Sequence, residues 1–476
     1  MPPSAEAPPR QDLDPRTRRL LEGPIAPTLL RLGAPNVLVM GAQAATGLIE
    51  TWFIGRLGAD ALTGVALVFP LVMLMQMMSA GAVGGGIASA IARALGARRR
   101  DDADALALHA VVLSLGFGLA FTLAAWAFGQ VLYSRMGGVG GSLAAALTYS
   151  HWIFGGAMLV WLFNALASVL RGAGNMLTPA VVTVAGTVLL TGLAPALIFG
   201  IGPIPAMGIA GGALSFLLYY LGGTLWLGAH LLAGRSVVRP RWRGARWRPD
   251  LARDILRVGM AGAISTVATN VAIGLATALT GGFGPLAVAG YGTAARLEYL
   301  LVPLVFGLGG PLVAMVGTCI GAGQRRRALQ ATWIATGLVL VMTEAIGLAA
   351  AAFPHLWLGL FSQEPQVLDA GSRYLRIVGP TYGLFGVGLL LYFASQGAGR
   401  LKWPVIGNLV RVAVAGVGGW LALRAGWGLT GVFAAQAAAL VVYGLINAAA
   451  IAGGAWFGAL GWPATPARLA HRLKLG

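Results

Sequence analysis

Cysteine is nearly absent from this chain of 476 residues, because Cys319 is the only one. A single cysteine forms no disulfide within the chain and no cysteine-based metal site. The five histidines are scattered, and none has the spacing of paired metal ligands. No glycine-rich string follows a strand or ends in the Lys-Ser or Lys-Thr of a phosphate-binding loop. We therefore expect no enzyme, no ATP-driven transport and no cofactor.

Charge is also scarce. Charged residues make up 10% of the chain and hydrophobic residues 57%, whereas a soluble domain carries about 25% charged residues. Apolar stretches of about 20 residues recur, each long enough to cross a hydrocarbon core of about 30 Å. The sequence predicts an all-α integral membrane protein with twelve transmembrane helices. Their predicted ranges are 28–55, 61–91, 105–133, 148–170, 177–200, 207–234, 255–282, 287–320, 328–353, 373–398, 403–424 and 428–457.

The chain contains an internal repeat. Gly172 and Gly174, followed by Pro179, recur as Gly397 and Gly399, followed by Pro404, and 397 − 172 = 225. Three earlier glycines recur with nearly the same offset, since 284 − 58, 290 − 64 and 307 − 81 all equal 226, and this predicts two homologous six-helix bundles. Two such halves are the usual framework of an alternating-access transporter. The predicted organisation is a disordered cytoplasmic N-terminal tail (1–24), an N-terminal lobe (25–234), a basic cytoplasmic linker (235–254), a C-terminal lobe (255–457) and a cytoplasmic C-terminal tail (458–476).

The formal net charge of +18 is distributed by side of the membrane. One alternate set of loops holds almost all of the arginines, including the clusters at 98–100 and 325–327. The positive-inside rule then predicts that both termini are cytoplasmic, in a bacterial inner membrane. Because the arginines are dispersed over many short loops, we expect contact with anionic lipid and no nucleic-acid partner.

The ionisable residues inside the predicted spans are the functional candidates, because charge in a bilayer is costly. Glu50 is the strongest, and it shares a helix face with Gln43 and Thr46. We interpret Glu50 as a carboxylate that binds a proton or a cation in a partly dry cavity. The alternative is a solvated residue at the membrane interface beside Arg56.

The C-terminal half offers a second set of candidates. Arg296 and Glu298 lie two residues apart in the eighth predicted span, so they face different surroundings. They either take part in ion coupling or stabilise the interface between the halves. Asn270 and Gln396 complete this set as polar residues of the seventh and tenth spans.

Several segments together resemble the multidrug and toxic-compound extrusion (MATE) family, in its DinF-like bacterial type. They include IETWFIGRLGADALTGVALVFP from Ile49 to Pro70 and FNALASVLRGAGNMLTP from Phe163 to Pro179, and the likeness covers about 25–457. The resemblance implies a V-shaped pair of six-helix lobes. It also implies export of organic, cationic compounds against an inward proton or sodium gradient.

The resemblance also assigns residues, with departures. Glu50 falls where related members have Asp, and Asn164 matches a polar position of the fourth span. The acid expected in the fifth span is missing, since Leu190 and Ala194 stand there. The N-terminal ion site is then Glu50, with help from Gln43, Thr46, Asn164, Thr187 and Thr191. A single carboxylate suffices for a proton, whereas sodium prefers several oxygen ligands, so we favour H+ over Na+ as the coupling ion.

Two other functions remain open from the sequence. A flippase for lipid-linked oligosaccharide or peptidoglycan precursors needs several arginines in its cavity, and only Arg296 and Arg411 are candidates. A receptor or scaffold that does not transport needs long binding loops, and the longest predicted connection is the short basic linker at 235–254. We expect a monomer that binds a small-molecule substrate and membrane lipid.

Overall fold

The computed structural model describes residues 13–202, 205–240 and 246–458, and these ranges contain helices and no strand. Eleven described helices are long and apolar enough to cross a membrane, and a pair bent by 45° forms a twelfth span. The predicted twelve-helix fold is therefore confirmed. In chain order the spans are Ile25–Gly55, Ala59–Gly96, Arg100–Arg135, Gly140–Gly155 with Ala157–Gly172, Leu177–Gly200, Ile209–Leu232, Pro249–Gly281, Pro285–Gly321, Arg325–Ala352, Pro365–Gly397, Lys402–Arg424 and Gly428–Ala452.

The first six spans form one bundle, the N-lobe, and the last six form the C-lobe. Contacts within the two bundles repeat with the same offset as the sequence. A Cβ atom at Gly172 would lie 2.6 Å from the carbonyl oxygen of Ala88, and one at Gly397 would lie 2.7 Å from that of Val313. Since 397 − 172 and 313 − 88 both equal 225, glycine permits the same close helix approach in each lobe.

The two lobes touch through the ends of the second and eighth spans, which we call the basic end because arginines 98–100 and 325–327 follow there. A Cβ atom at Gly96 would overlap the carbonyl oxygen of Thr318, and one at Gly321 would overlap that of Arg93. Because 321 − 96 and 318 − 93 are both 225, the contact is made twice, crosswise, by equivalent residues. The lobes are thus related by a two-fold rotation that leaves both in the same orientation.

Arg93 joins the lobes at the basic end by charge as well as by packing. Its Nη2 donates to both carboxylate oxygens of Asp254 in the seventh span, at 2.8 Å each. Its Nη1 donates to the carbonyl oxygen of Gly397 at 3.3 Å, and Ser89 donates to the same oxygen at 3.1 Å. The half-buried pair, with both carboxylate oxygens engaged, is stronger than an ordinary surface ion pair.

A short helix precedes the first span and corrects the predicted N-terminal tail. Residues Pro15–Glu22 are helical, so the expectation of disorder over 1–24 is wrong there, while residues 1–12 lie outside the described ranges. Arg327 of the C-lobe donates from Nε to the carbonyl oxygen of Leu20 at 3.1 Å and from Nη2 to that of Gly23. The Leu20 side chain also lies against Gly174 of the N-lobe. The helix therefore rests on both lobes at the basic end.

The linker between the lobes is shorter than predicted, because the seventh span begins at Pro249. Its described end is held against the third span, where Trp247 stacks on His109 with a ring distance of 4.6 Å. Arg248 donates to the carboxylate of Asp102 at 2.6 Å, and that bond helps to raise the pKa of its guanidinium. Residues 241–245 of the linker lie outside the described residues.

We expect Gly96→Ala and Gly321→Ala to weaken the contact between the lobes, because each new methyl group would overlap a carbonyl group of the other lobe. Overpacking of this kind costs about 1 to 3 kcal/mol. Both variants should unfold at a lower Tm than the parent protein in detergent. Gly116→Ala is the matched control, since its methyl group would meet nothing within 4 Å. If all three variants kept the parent Tm, the close approach at the basic end would be refuted.

Candidate functional site

Glu50 lies near the far end of the first span, remote from the basic end, and 6% of its surface is exposed. Tyr149 of the fourth span donates its hydroxyl to Glu50 Oε1 at 2.5 Å. A carboxyl group without solvent needs such a donor, because an unsatisfied buried polar group is costly. The interpretation of Glu50 as a solvated interface residue is therefore wrong. It is a buried acid with a hydroxyl partner.

Thr46 of the first span, one helical turn before Glu50, lies next to Thr187 of the fifth span. Thr46 and Thr187 are both buried, and their hydroxyl oxygens are 3.0 Å apart. One of the two hydroxyls donates to the other, and that other donates within its own helix, either Thr46 to the carbonyl oxygen of Ala42 at 2.9 Å or Thr187 to that of Thr183 at 3.0 Å. The pair thus connects the first and fifth spans. This contact brings two of the predicted site residues together.

The remaining N-lobe candidates lie around this pair or apart from it. Thr191 is exposed and donates to the carbonyl oxygen of Thr187 at 2.9 Å, while Gln43 is half-buried. Asn164 is fully buried and donates to the hydroxyl of Ser79 at 2.9 Å. Ser79 belongs to Met77–Val83, a π-helical segment of the second span, and such segments are frequent at functional sites. Asn164 therefore belongs to a second polar contact in the same lobe.

The C-lobe has a half-buried acid with a similar partner. Glu298 lies near the middle of the eighth span and accepts a hydrogen bond from the hydroxyl of Tyr374. The two tyrosines occupy equivalent repeat positions, because 374 − 149 = 225. The two acids do not, since Glu50 belongs to the first span of its lobe and Glu298 to the second. Each lobe thus uses the same tyrosine but receives its carboxyl group from a different helix.

The other three C-lobe candidates do not gather around Glu298. Gln396 is buried at the basic end, where its Nε2 donates to the carbonyl oxygen of Gly81 in the N-lobe at 3.0 Å. Asn270 is exposed and donates to the carbonyl oxygen of Thr266 in its own helix at 2.9 Å. The guanidinium of Arg296 lies over the Phe361 ring, 5.5 Å from its centre. The four C-lobe candidates therefore do not form one site.

Tyr149 and Tyr374 are the members of the candidate sites that sequence reasoning missed. Tyrosine is common in apolar helices, so neither residue stands out alone. The repeat contained the necessary signal, because these two tyrosines have the same spacing as the Gly172 and Gly397 motifs. In each lobe a carboxyl group can exchange one proton while its oxygen keeps a hydroxyl partner. Among the described residues, no three His, Cys, Asp or Glu side chains are arranged to hold a metal ion.

The chain is similar to known membrane transporters in sequence and in structure. The family model named MatE matches residues 35–196 and 263–421, one segment in each lobe. The chain is 30% identical to the "Probable multidrug resistance protein NorM" of Deinococcus radiodurans, over 88% of this chain and 93% of that protein. It is 28% identical to the "FAD transporter" of Shewanella oneidensis, over 83% of this chain and 87% of that protein.

Solved structures show the same fold. A MATE protein "in the bent conformation" superposes with a TM-score of 0.85 at 24% identity, covering 92% of this chain and 96% of that one. A "MOP superfamily transporter from Pyrococcus furiosus", described as having a binding pocket of reversed polarity, gives a TM-score of 0.81. It is 25% identical and covers 92% of this chain and 97% of that one.

A double-mutant cycle tests the two carboxyl contacts. We expect Glu50→Leu and Tyr149→Phe to be coupled by about 0.5 to 3 kcal/mol in the free energy of unfolding, because each removes one partner of the same hydrogen bond. Glu298→Leu and Tyr374→Phe should be coupled in the same way. The crossed combinations, Glu50→Leu with Tyr374→Phe and Glu298→Leu with Tyr149→Phe, are the matched controls and should be additive. Additive behaviour in the cognate pairs as well would refute the contacts.

Proposed function

The chain belongs to the MATE family of membrane transporters, and we propose that it exports organic cations in exchange for protons that enter the cell. It is a multi-span transporter of small compounds and not an enzyme. The single observation that carries the finer proposal is the buried Glu50 with one hydroxyl donor, Tyr149. A lone carboxyl group in apolar surroundings binds either a proton or an organic cation, and competition between the two couples their movements.

The position of the contacts between the lobes supports an outward-facing state. Close contacts between the two parts of the chain involve residues 20–23, 33–37 and 81–97 on one side and residues 254–262, 307–327 and 392–399 of the C-lobe on the other, in the half that contains the basic end. The positive-inside rule puts this end and both termini in the cytoplasm of a bacterial inner membrane. The cleft between the lobes would then face outward, which is the state that releases substrate and takes up protons.

Proton coupling is favoured over sodium by the ligands around Glu50. Sodium requires several oxygen atoms that are free to coordinate, as hard cations do in general. Leu190 and Ala194 stand where the second acid of the fifth span is expected, so Glu50 is the one carboxylate at this position, and one carboxylate suffices for a proton. One proton that moves through 100 mV supplies about 2.3 kcal/mol, equivalent to about a fiftyfold concentration ratio.

A second candidate substrate class is an anionic dinucleotide, favoured by two observations. One relative of this chain is named a FAD transporter. Arg411 is buried in the eleventh span, and its guanidinium lies 5.3 Å from the ring centre of Phe385 and 5.7 Å from that of Tyr443. A cation flanked by aromatic rings suits a phosphate next to a planar ring system.

We expect Glu50→Gln to fold but to lose transport, because the amide keeps the polar contact with Tyr149 and cannot titrate. Uptake of a cationic dye into inside-out proteoliposomes should fall to the level of empty vesicles. Glu344→Gln is the matched control, since Glu344 accepts a bond from the Gly383 backbone in the C-lobe and an amide oxygen can do the same. If Glu298→Gln abolished uptake while Glu50→Gln pumped normally, the coupling site would belong to the C-lobe.

The driving ion and the substrate class are separated in the same vesicles. An imposed pH gradient without sodium should drive dye uptake, because each pH unit is worth about 1.4 kcal/mol per proton. A sodium gradient at equal pH should not. FAD should neither be accumulated nor compete with the dye if the substrate is cationic. Uptake of FAD that is lost in Arg411→Gln would replace organic cations with the anionic class, and strict dependence on sodium would refute proton coupling.

A further inference from the structure

A cavity of about 530 Å³ opens at the basic end of the C-lobe, apart from both carboxyl–tyrosine pairs. Its walls come from the seventh, tenth, eleventh and twelfth spans, from the segment that connects the tenth to the eleventh, and from the residues that follow the twelfth. Three cationic side chains line it, those of Arg257, Arg400 and Lys402, and no acidic side chain of the described residues does. The cavity therefore has a positive character that nothing in the transport proposal uses.

In the part of the chain that the structure describes, these three cations have no carboxylate partner. Arg257 donates from Nη2 to the carbonyl oxygen of Gly399 at 2.7 Å, a neutral acceptor. Asp254, one turn earlier in the seventh span, forms an ion pair with Arg93 instead. No salt bridge within the described ranges involves Arg257, Arg400 or Lys402. Concentrated, uncompensated positive charge in a concave site attracts an anion.

Two buried polar atoms in the lining point to a ligand with oxygen atoms. Ser395 and Asn447 are each 1% exposed, and neither Ser395 Oγ nor Asn447 Oδ1 has a hydrogen-bond partner among the described residues. A buried polar atom without a partner costs about 1 to 3 kcal/mol. The serine hydroxyl can donate to a phosphate oxygen, and the asparagine oxygen can accept from a hydroxyl group. A phosphate ester that carries a neighbouring hydroxyl satisfies both.

The rest of the wall is apolar. Val258, Ala261, Leu401, Ile451 and the buried ring of Trp456 line the cavity. Trp403 lies at its margin with 44% of its surface exposed, as tryptophan does at the membrane interface. A free phosphate ion would leave this apolar surface uncovered, whereas the acyl chains of a lipid would cover it.

We propose that this cavity binds the phosphate-containing headgroup of an anionic phospholipid, with the cationic rim on the phosphate and the apolar wall against the acyl chains. Basic pockets between spans on the cytoplasmic side bind such headgroups in other membrane proteins. The bound lipid would also brace the segment that carries Gly397 and Gly399. Because Arg93 of the N-lobe bonds to Gly397, occupancy of the cavity stabilises the closed contact between the lobes.

Binding is measured by native mass spectrometry on the delipidated full-length protein, titrated separately with phosphatidylglycerol, phosphatidylcholine and inorganic phosphate. We expect one saturable site that prefers phosphatidylglycerol. In Arg400→Gln/Lys402→Gln the affinity should fall about 10- to 30-fold, since each cation near the surface contributes about 1 kcal/mol. Ser395→Ala, which removes one hydroxyl that has no partner within the described protein, should lower it about fivefold. Neither measurement uses transport, so failure of the export proposal leaves this test intact.

The matched control is Arg31→Gln/Arg326→Gln, which removes two exposed cations near the same end without changing the cavity. It should bind phosphatidylglycerol as tightly as the parent protein. Equal losses in both double variants would overturn the site, because the attraction would then be that of the whole basic surface. Phosphatidylcholine binding as tight as phosphatidylglycerol would overturn it too. Binding of inorganic phosphate with the same dependence on Ser395 would overturn the lipid assignment and give the cavity to a soluble anion.

Discussion

Backbone contact between the second and eighth spans is the constraint on which the rest of this structure depends. Gly96 and Gly321 bring helix backbones of opposite lobes so close that a single added methyl group would overlap a carbonyl oxygen. Because the contact is made twice by equivalent residues, it fixes the two-fold relation of the lobes. It also holds one end of the molecule shut, so that any movement of the lobes must either preserve this approach or break it entirely.

Polar side chains also stabilise the contact between the lobes at the basic end, and their hydrogen bonds can open again. Arg93 bonds to Asp254 and to the carbonyl oxygen of Gly397, and Gln396 bonds to that of Gly81. Hydrogen bonds and half-buried ion pairs contribute modestly in net terms, because water replaces the lost partners when they open. The N-terminal helix adds contacts to both lobes at this end. Closure is therefore specific without being permanent, as alternating access requires.

The sequence predicts the spans, the repeat and the two acids within the spans, because each produces a signal of its own. Glu50 and Glu298 are conspicuous since charge is rare in an apolar helix. Their tyrosine partners are not, because an aromatic residue in a span is ordinary until the helices are packed. The position of Gln396 was missed for the same physical reason. A polar residue in a span must face a partner, but the identity of that partner, here the backbone of the other lobe, depends on the relative placement of the bundles. The helix at Pro15–Glu22 was missed because its contacts come from Arg327 in the other lobe, far away along the chain.

The asymmetry between the two acids limits what the repeat itself can mean. Equivalent tyrosines stand in both lobes, yet Glu50 lies near the end of the first span, remote from the basic end, whereas Glu298 lies within the eighth span, which also forms the contact between the lobes. Protonation of Glu50 changes the charge on the first span. The half of this span that is nearer the basic end packs against the eighth span, where Gly33 lies next to Leu308. The first span therefore connects the carboxyl group of Glu50 to the contact that holds the lobes shut. Glu298 lies within the eighth span itself, so a change in its charge acts on the contact without an intervening helix. The two carboxyl groups of this duplicated fold therefore act on the contact between the lobes in different ways. A role established for one of them cannot be assigned to the other by symmetry.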